Sequence, residues 1–510
     1  MKSSRTLYAA KNFAWSMVGN ISNPVLSFIS RTIFIYTLGT AYLGVNGLFS
    51  NILGMLSFAE LGIGSAITFS LYKPLAEKDI PKIQAIINFY RVAYRIIACV
   101  VAVIGISLIP FLKYMVKATD GIDNLELIYC LFLINTVSSY LITYKTTIVS
   151  ADQKAYLMAN INTISRVVIT LAQIVIMLFT KNFIAYLITG IVMQILTKIY
   201  LNRFTDKKYP YIKGRNNERL SKEEKGVIFR KVRALIIHKV GEISIYQTDN
   251  IITSAFINVT IVGLVSNFTM IINLINGFVV SFFNSAVAGL GNLVATETYK
   301  RRYVIFKRYD FLCFWFFGWT GLCLYFMLTP FVTIWIGADK LIDNLTILLL
   351  CLNYYLTGMR VSITNLRNAA GAFEQDKWVA FAQAITNIIV SIVGVKLWGL
   401  PGIYIGTLVS SMLPNIIRPI VVYRDVFNMK STGYFKTYLL NLFLLILSAV
   451  IISLLNYAVP INNSYLMLVY ELILCILVPN AIFVMVFRKS DEFKYVINTL
   501  KDLLRRRIKK

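Results

Sequence analysis

Long apolar runs separated by short polar connections dominate this chain. A bilayer-spanning helix needs about 20 mostly apolar residues. Fourteen runs meet that length, near 12–37, 43–72, 88–112, 124–148, 155–180, 183–203, 232–257, 261–290, 309–336, 342–366, 376–396, 401–423, 436–459 and 464–487. The pattern predicts an all-α polytopic membrane protein with about 14 transmembrane helices. The first, second and eighth runs are long and rich in Gly, Ser and Asn, which predicts tilted or kinked spans.

Composition agrees with this pattern. Of 510 residues 57% are hydrophobic, and the mean hydropathy is +0.67. The N-terminal stretch MKSSRTLYAAKNFAW runs into a long span without a small-residue cleavage site, so no signal peptide is expected. Cys99, Cys130, Cys313, Cys323, Cys351 and Cys475 all fall in apolar segments without metal-ligand spacing. They read as small core residues, and no metal site is expected.

A net charge of +27 would suggest nucleic acid in a soluble chain, but here its distribution explains it. Every second connection is basic, with 203–233 the richest and Lys300, Arg301, Arg302, Lys307 and Arg308 in another. The opposite connections hold only Lys113, Lys117, Lys181, Lys340 and Lys396. The positive-inside rule then places both termini in the cytoplasm. The outer connections are too short for a folded domain. The inner segment 204–231 reads as a solvated linker with a helical turn around SKEEKG. In the tail, 488–510, Phe493, Val496, Ile497, Leu500, Leu503, Leu504 and Ile508 recur at helical spacing opposite Arg and Lys. That predicts an interfacial helix on anionic membrane lipid rather than a nucleic-acid arm.

Shifting the chain by 219 residues lays SRTIFIYTLGTAYLGVNGLFSNILGML, at 30–56, over DNIITSAFINVTIVGLVSNFTMIINLI, at 249–275. Gly44 falls on Gly263 and Phe49 on Phe268. A shift of about 222 lays 151–158 over 373–380. The repeat predicts an N-terminal lobe at 1–203, a linker at 204–231 and a C-terminal lobe at 232–423. Two more helices at 424–487 and the tail complete the chain. Parallel six-helix repeats are a transporter device with the substrate site at the lobe interface.

Ionisable residues inside spans are costly and mark pathways or sites. Arg31, Arg95, Arg166, Lys239, Arg360 and Asp249 are therefore candidate cavity residues, with Glu60, Glu242 and His238 beside them. For His238 and Lys239, snorkelling to the cytoplasmic surface is the competing reading. For Arg31 and Asp249, which the repeat puts at matched depth, it is a private salt bridge within each lobe. Asn160, Asn162, Tyr246, Gln247 and Asn387 are sugar-binding candidates or, more simply, helix–helix contacts.

The LGxxxLGxxGLF run at 38–49 after Arg31, and FAELGIGSA at 58–66, resemble the start of bacterial oligosaccharide flippases of the Wzx type. These form the polysaccharide-transporter branch of the multidrug/oligosaccharidyl-lipid/polysaccharide exporter superfamily. LYKPLAEKDIPKIQAIINFYRVAYRII, at 71–97, is similar to Gram-positive members. The resemblance implies export of an undecaprenyl-pyrophosphate-linked oligosaccharide by alternating access, for surface polysaccharide biosynthesis. It carries over Arg31, the Glu60 region and Asp249; the other cavity assignments rest on charge within apolar spans. It also implies polysaccharide polymerases and glycosyltransferases as partners. Glu60, Glu242, Asp249 and His238 would balance the cleft's charge or carry a coupling ion, with H+, Na+ and the membrane potential all open.

No GxxxxGK[ST] loop, HExxH or GxSxG is present, so no enzyme and no cofactor are expected. The rivals are a cation-coupled multidrug exporter of the same superfamily and a membrane glycosyltransferase or polymerase. Several arginines in spans favour a diphosphate, because the guanidinium fork matches phosphate oxygens.

Overall fold

The computed structural model describes residues 2–57, 63–117, 122–213, 220–226, 228, 247–371, 377–461 and 463–508. These residues form helices joined by short turns, with no strand among them. Eleven helices are long and apolar enough to cross a membrane, or twelve if a bent pair within 125–151 is one span. The spans expected at 43–72 and 232–257 are described only in part.

The described chain divides into two compact units, Met1–Gly263 and Leu264–Lys510. The first contains α1 (Lys2–Leu56), α2 (Ile63–Glu77), α3 (Ile80–Leu108), α4 (Leu125–Ala151), α5 (Ala155–Thr180) and α6 (Phe183–Lys208). A helical stretch at 247–256 also belongs to it. α1 combines the first expected span with the start of the second. It kinks at Gly39, whose φ of +85° suits a residue without Cβ. Local signals set the helix starts: Asp79 Oδ1 accepts from Lys82 N–H at α3, and Asn182 Oδ1 from Ala185 N–H at α6.

The stretch at 247–263 runs beside the second half of α1. A Cβ built on Gly44 would lie 1.8 Å from the Val259 carbonyl oxygen, and one on Gly263 would lie 2.0 Å from that of Thr40. Two backbones touch there because neither residue has a side chain. These are the two glycines that the 219-residue shift superimposes.

The second unit contains α7 (Val259–Asn284), which starts at the end of the first, then α8 (Val287–Thr296), α9 (Tyr299–Ile336) and α10 (Asn344–Ala370). α11 (Lys377–Trp398), α12 (Leu400–Phe427), α13 (Thr432–Ala458), α14 (Ser464–Phe487) and α15 (Asp491–Ile508) follow. α11 and α12 cross through small residues. Gly394 and Gly402 meet backbone to backbone, and Gly406 lies against Ser391. Such contacts replace the hydrophobic drive that lipid cannot supply.

Three expectations need correction. The segment after α6 is not simply solvated. Tyr209, Ile212 and Leu220 are buried, Gln84 Nε2 donates to the Tyr211 carbonyl at 2.5 Å, and Lys82 pairs with Glu224. Its SKEEKG turn exists and is closed by a Ser221–Glu224 capping box. Cys99 is exposed, not a core residue.

The tail helix α15 also rests on protein. Phe493 stacks on Trp315 of α9 with ring centroids 5.8 Å apart, Arg308 lies 4.0 Å from the Tyr495 ring centroid, and Lys307 Nζ pairs with Glu492 at 2.7 Å. Burial opposes ionisation of Glu492, but the Lys307 hydrogen bond outweighs it and holds its pKa below the usual value. A depressed carboxyl pKa stabilises docking above the unfolded-state value. That contribution fades as pH falls through the folded value. Phe493→Ala should release the helix at a cost of about 1–2 kcal/mol, the worth of a half-buried phenylalanine. Faster tryptic removal of the tail would report it; an unchanged rate would place the anchor elsewhere.

Candidate functional site

In the first unit, α5 exposes two different faces. Ile164, Val168, Leu171, Val175 and Leu178 form one exposed stripe at helical spacing, suited to lipid. Asn162 and Arg166 are exposed on the opposite side of the helix. Half-buried Thr163, Thr170 and Gln173 continue that polar side. A charged residue at this depth is stable only toward protein or a watery space. No carboxylate among the described residues pairs with Arg166.

Arg31 lies on α1, half-buried, within electrostatic range of Tyr186 on α6. Phe34 fixes that ring edge-on, with centroids 5.4 Å apart, and packs on Phe183 at 5.7 Å. Tyr42 closes the aromatic group on Phe183 at 4.9 Å. Aromatic contacts between α1 and the start of α6 thus fix the one ring that lies within range of Arg31.

Three further cations within helices, not among the candidates from sequence, meet polar partners. Lys198 of α6 donates to Ser138 Oγ at 2.8 Å and has no carboxylate in ion-pair range among the described residues. Lys145 of α4 bridges Asn202 and Asp206 at 2.6 and 2.9 Å. Arg91 donates to the Tyr144 hydroxyl at 3.1 Å.

Asp249 is half-buried in the 247–256 helix, where its carbonyl accepts from Thr253 Oγ1 at 2.7 Å. Its neighbour Gln247 lies against Gly54. Arg95 has a different setting from Arg166. It is exposed on α3 in line with Val92, Cys99, Val103 and Ile106, the face suited to lipid. Glu60, His238, Lys239, Glu242 and Tyr246 lie outside the described residues. Arg31, Arg166 and Asp249 therefore share one unit, whereas Arg360 belongs to the other.

In the second unit Arg360 is half-buried on α10, within electrostatic range of Tyr438. Near it is a residue the sequence reading missed. Asp310 of α9 is 8% exposed and accepts from Ser362 Oγ at 2.5 Å. Tyr355, Tyr423, Tyr434 and Tyr438 lie within electrostatic range of its carboxyl. Asn365 extends the network, donating to Asn284 Oδ1 at 3.1 Å and to the Tyr309 hydroxyl at 2.9 Å. Asn387, a sugar-binding candidate by sequence, is buried and donates to Thr407 Oγ1 at 3.1 Å, tying α11 to α12.

The described residues contain no group of three or more His, Cys, Asp or Glu arranged to hold a metal. In the first unit Lys198 and Lys145 bond hydroxyl or amide groups, and Arg91 bonds a hydroxyl.

No protein-family model matches the chain, and no curated protein matches it. Solved structures do. The lipid II flippase MurJ, in an inward closed conformation, aligns with a TM-score of 0.64 at 15% identity, over 95% of this chain and 99% of its own. An inward-facing multidrug resistance MATE family transporter of the MOP superfamily gives 0.60 at 14%, over 79% and 96%. A mutant of the Vibrio cholerae MATE transporter VcmN gives 0.56 at 13%, over 84% and 99%. At these identities the likeness is one of fold: an all-α polytopic membrane chain folded as these transporters are.

Proposed function

We propose that this chain is a flippase that moves an undecaprenyl-pyrophosphate-linked oligosaccharide from the inner to the outer leaflet of a bacterial plasma membrane. The observation that carries the reading is the polar side of α5. There Arg166 is exposed opposite a lipid-type stripe and without a carboxylate among the described residues. Arg31 and Lys198 add positive charge from α1 and α6. A diphosphate cannot cross hydrocarbon bare, since an isolated charge in a low-dielectric medium costs tens of kcal/mol in the Born limit. Fixed guanidinium and ammonium groups replace its lost hydration. The fold-level match to a lipid II flippase over nearly the whole chain supports the same class of cargo.

The competing reading is a cation-coupled multidrug exporter, which the two MATE likenesses keep in play. A polar face bearing cations repels cationic drugs, so the flippase reading is preferred. The test is transfer of a fluorescent lipid-diphosphate oligosaccharide across proteoliposomes. Wild-type protein should move it, and Arg166→Ala should slow transfer about tenfold or more, the loss of one charge-assisted bond. Vesicles that leave this lipid in place but extrude ethidium would decide for the exporter.

A further inference from the structure

Glu471, two turns after the start of α14 at Ser464, is the one charged residue of that helix. The residue is 2% exposed. Its Oε1 accepts from Asn456 Nδ2 at 2.8 Å, whereas its Oε2 is buried without a hydrogen-bond partner among the described residues. A carboxylate in such a place needs a counter-charge or a proton. Glu471 lines a cavity of about 340 Å³ between α9, α10 and the start of α14.

The other walls supply oxygen. Thr329, Thr333, Asn344, Ser464 and Tyr325 line the same cavity. Pro330 sits inside α9 and has no N–H, so the carbonyl of Phe326, four residues earlier and also lining the cavity, lacks its helical donor. The same defect occurs in α14, where Pro479 frees the carbonyl of Cys475. There Trp319 Nε1 fills the gap at 3.0 Å. No side chain among the described residues does this for Phe326.

We propose that this cavity binds a monovalent cation on the Glu471 carboxylate, with the Thr329 and Thr333 hydroxyls and the Phe326 carbonyl as further oxygens. The charge sets the valence: one carboxylate neutralises one positive charge, whereas calcium sites take several carboxylate or carbonyl oxygens and zinc takes nitrogen or sulfur. The pocket has room for an ion with its waters or for a small ammonium head. The two sources share this chemistry: sodium from solution, or the primary ammonium of a phosphatidylethanolamine.

The purified full chain separates them. In detergent, the thermal unfolding midpoint is followed while sodium replaces choline at constant ionic strength. In nanodiscs, it is followed while phosphatidylethanolamine replaces phosphatidylcholine. A rise of several degrees with sodium, or with the aminolipid, that Glu471→Gln abolishes supports the site and names its source. Thr329→Val, which keeps the carboxylate, should need about tenfold more of the same ligand for the same rise, by mass action. If Glu471→Gln folds poorly, Thr329→Val alone decides. Equal responses of wild type and both variants to both ligands, or no response of wild type to either, would overturn the proposal.

Discussion

Gly44→Ala is expected to disable the protein, although it adds a single methyl group. The new Cβ would sit 1.8 Å from the Val259 carbonyl oxygen, a backbone atom that no rotamer change can move aside. The mirror substitution, Gly263→Ala, meets the Thr40 carbonyl at 2.0 Å. Contact needs more than 1 Å of extra separation in each case, so α1 and the 258–263 segment have to part along their whole crossing. Overpacking of this kind costs about 1–3 kcal/mol when side chains yield, and a backbone clash belongs at the upper end. Gly47→Ala provides the control. One turn further on, its Cβ would make an ordinary contact with Val262 Cγ1 at 3.7 Å. Thermal unfolding of the purified variants, with transport in proteoliposomes, should set the two apart. If Gly44→Ala unfolds and transports as Gly47→Ala does, the crossing is looser than the structure has it.

Those two glycines also mark how far the sequence could be read. Their equivalence under a 219-residue shift was visible; that they touch each other was not, because a repeat gives correspondence and not contact. Span existence followed from hydropathy, and α10 to α14 begin and end within a few residues of their runs. α9 did not follow so closely. Its helix starts at Tyr299, ten residues before the apolar run, because a helix persists through charged residues that hydropathy excludes. That placed Asp310 at a membrane edge, when Ser362 and four tyrosines from other helices enclose it. Glu471 was passed over for a related reason, since its partner Asn456 lies across a turn in the preceding helix.

Arg95 and Arg166 looked alike as lone arginines in apolar runs. Their neighbours one turn away already separated them. Val92 and Cys99 flank Arg95, whereas Asn162 and Thr170 flank Arg166. Reading three and four residues in each direction, rather than the average of the run, was the missing step. Lys198 lies inside the 183–203 run and was not singled out; its contact with Ser138 on another helix is what marks it.

Arg31→Ala should nearly abolish transport of a lipid diphosphate. Under the flippase reading, Arg31 supplies a two-pronged donor to phosphate, and each hydrogen bond to a charged group is worth about 1.5–3 kcal/mol. Losing both prongs predicts a fall of about a hundredfold or more in rate, since about 1.4 kcal/mol is a factor of ten. Arg31→Lys keeps the charge without the planar fork, so an intermediate loss is expected. Phe34 and Phe183 hold Tyr186, the ring within range of Arg31, in place. Arg95→Ala is the control, because Arg95 lies on the exposed apolar stripe of α3; its transport should stay within about twofold, as expected of a surface change. Asp249→Asn discriminates further. A role in charge balance predicts a mild loss, whereas binding of a coupling ion predicts a loss as deep as that of Arg31→Ala. Complementation of a strain lacking its flippase, scored by surface polysaccharide with membrane abundance checked, reads all four variants. Full export by Arg31→Ala at normal abundance would remove Arg31 from the site, and the case for a diphosphate substrate would then rest on Arg166 and Lys198.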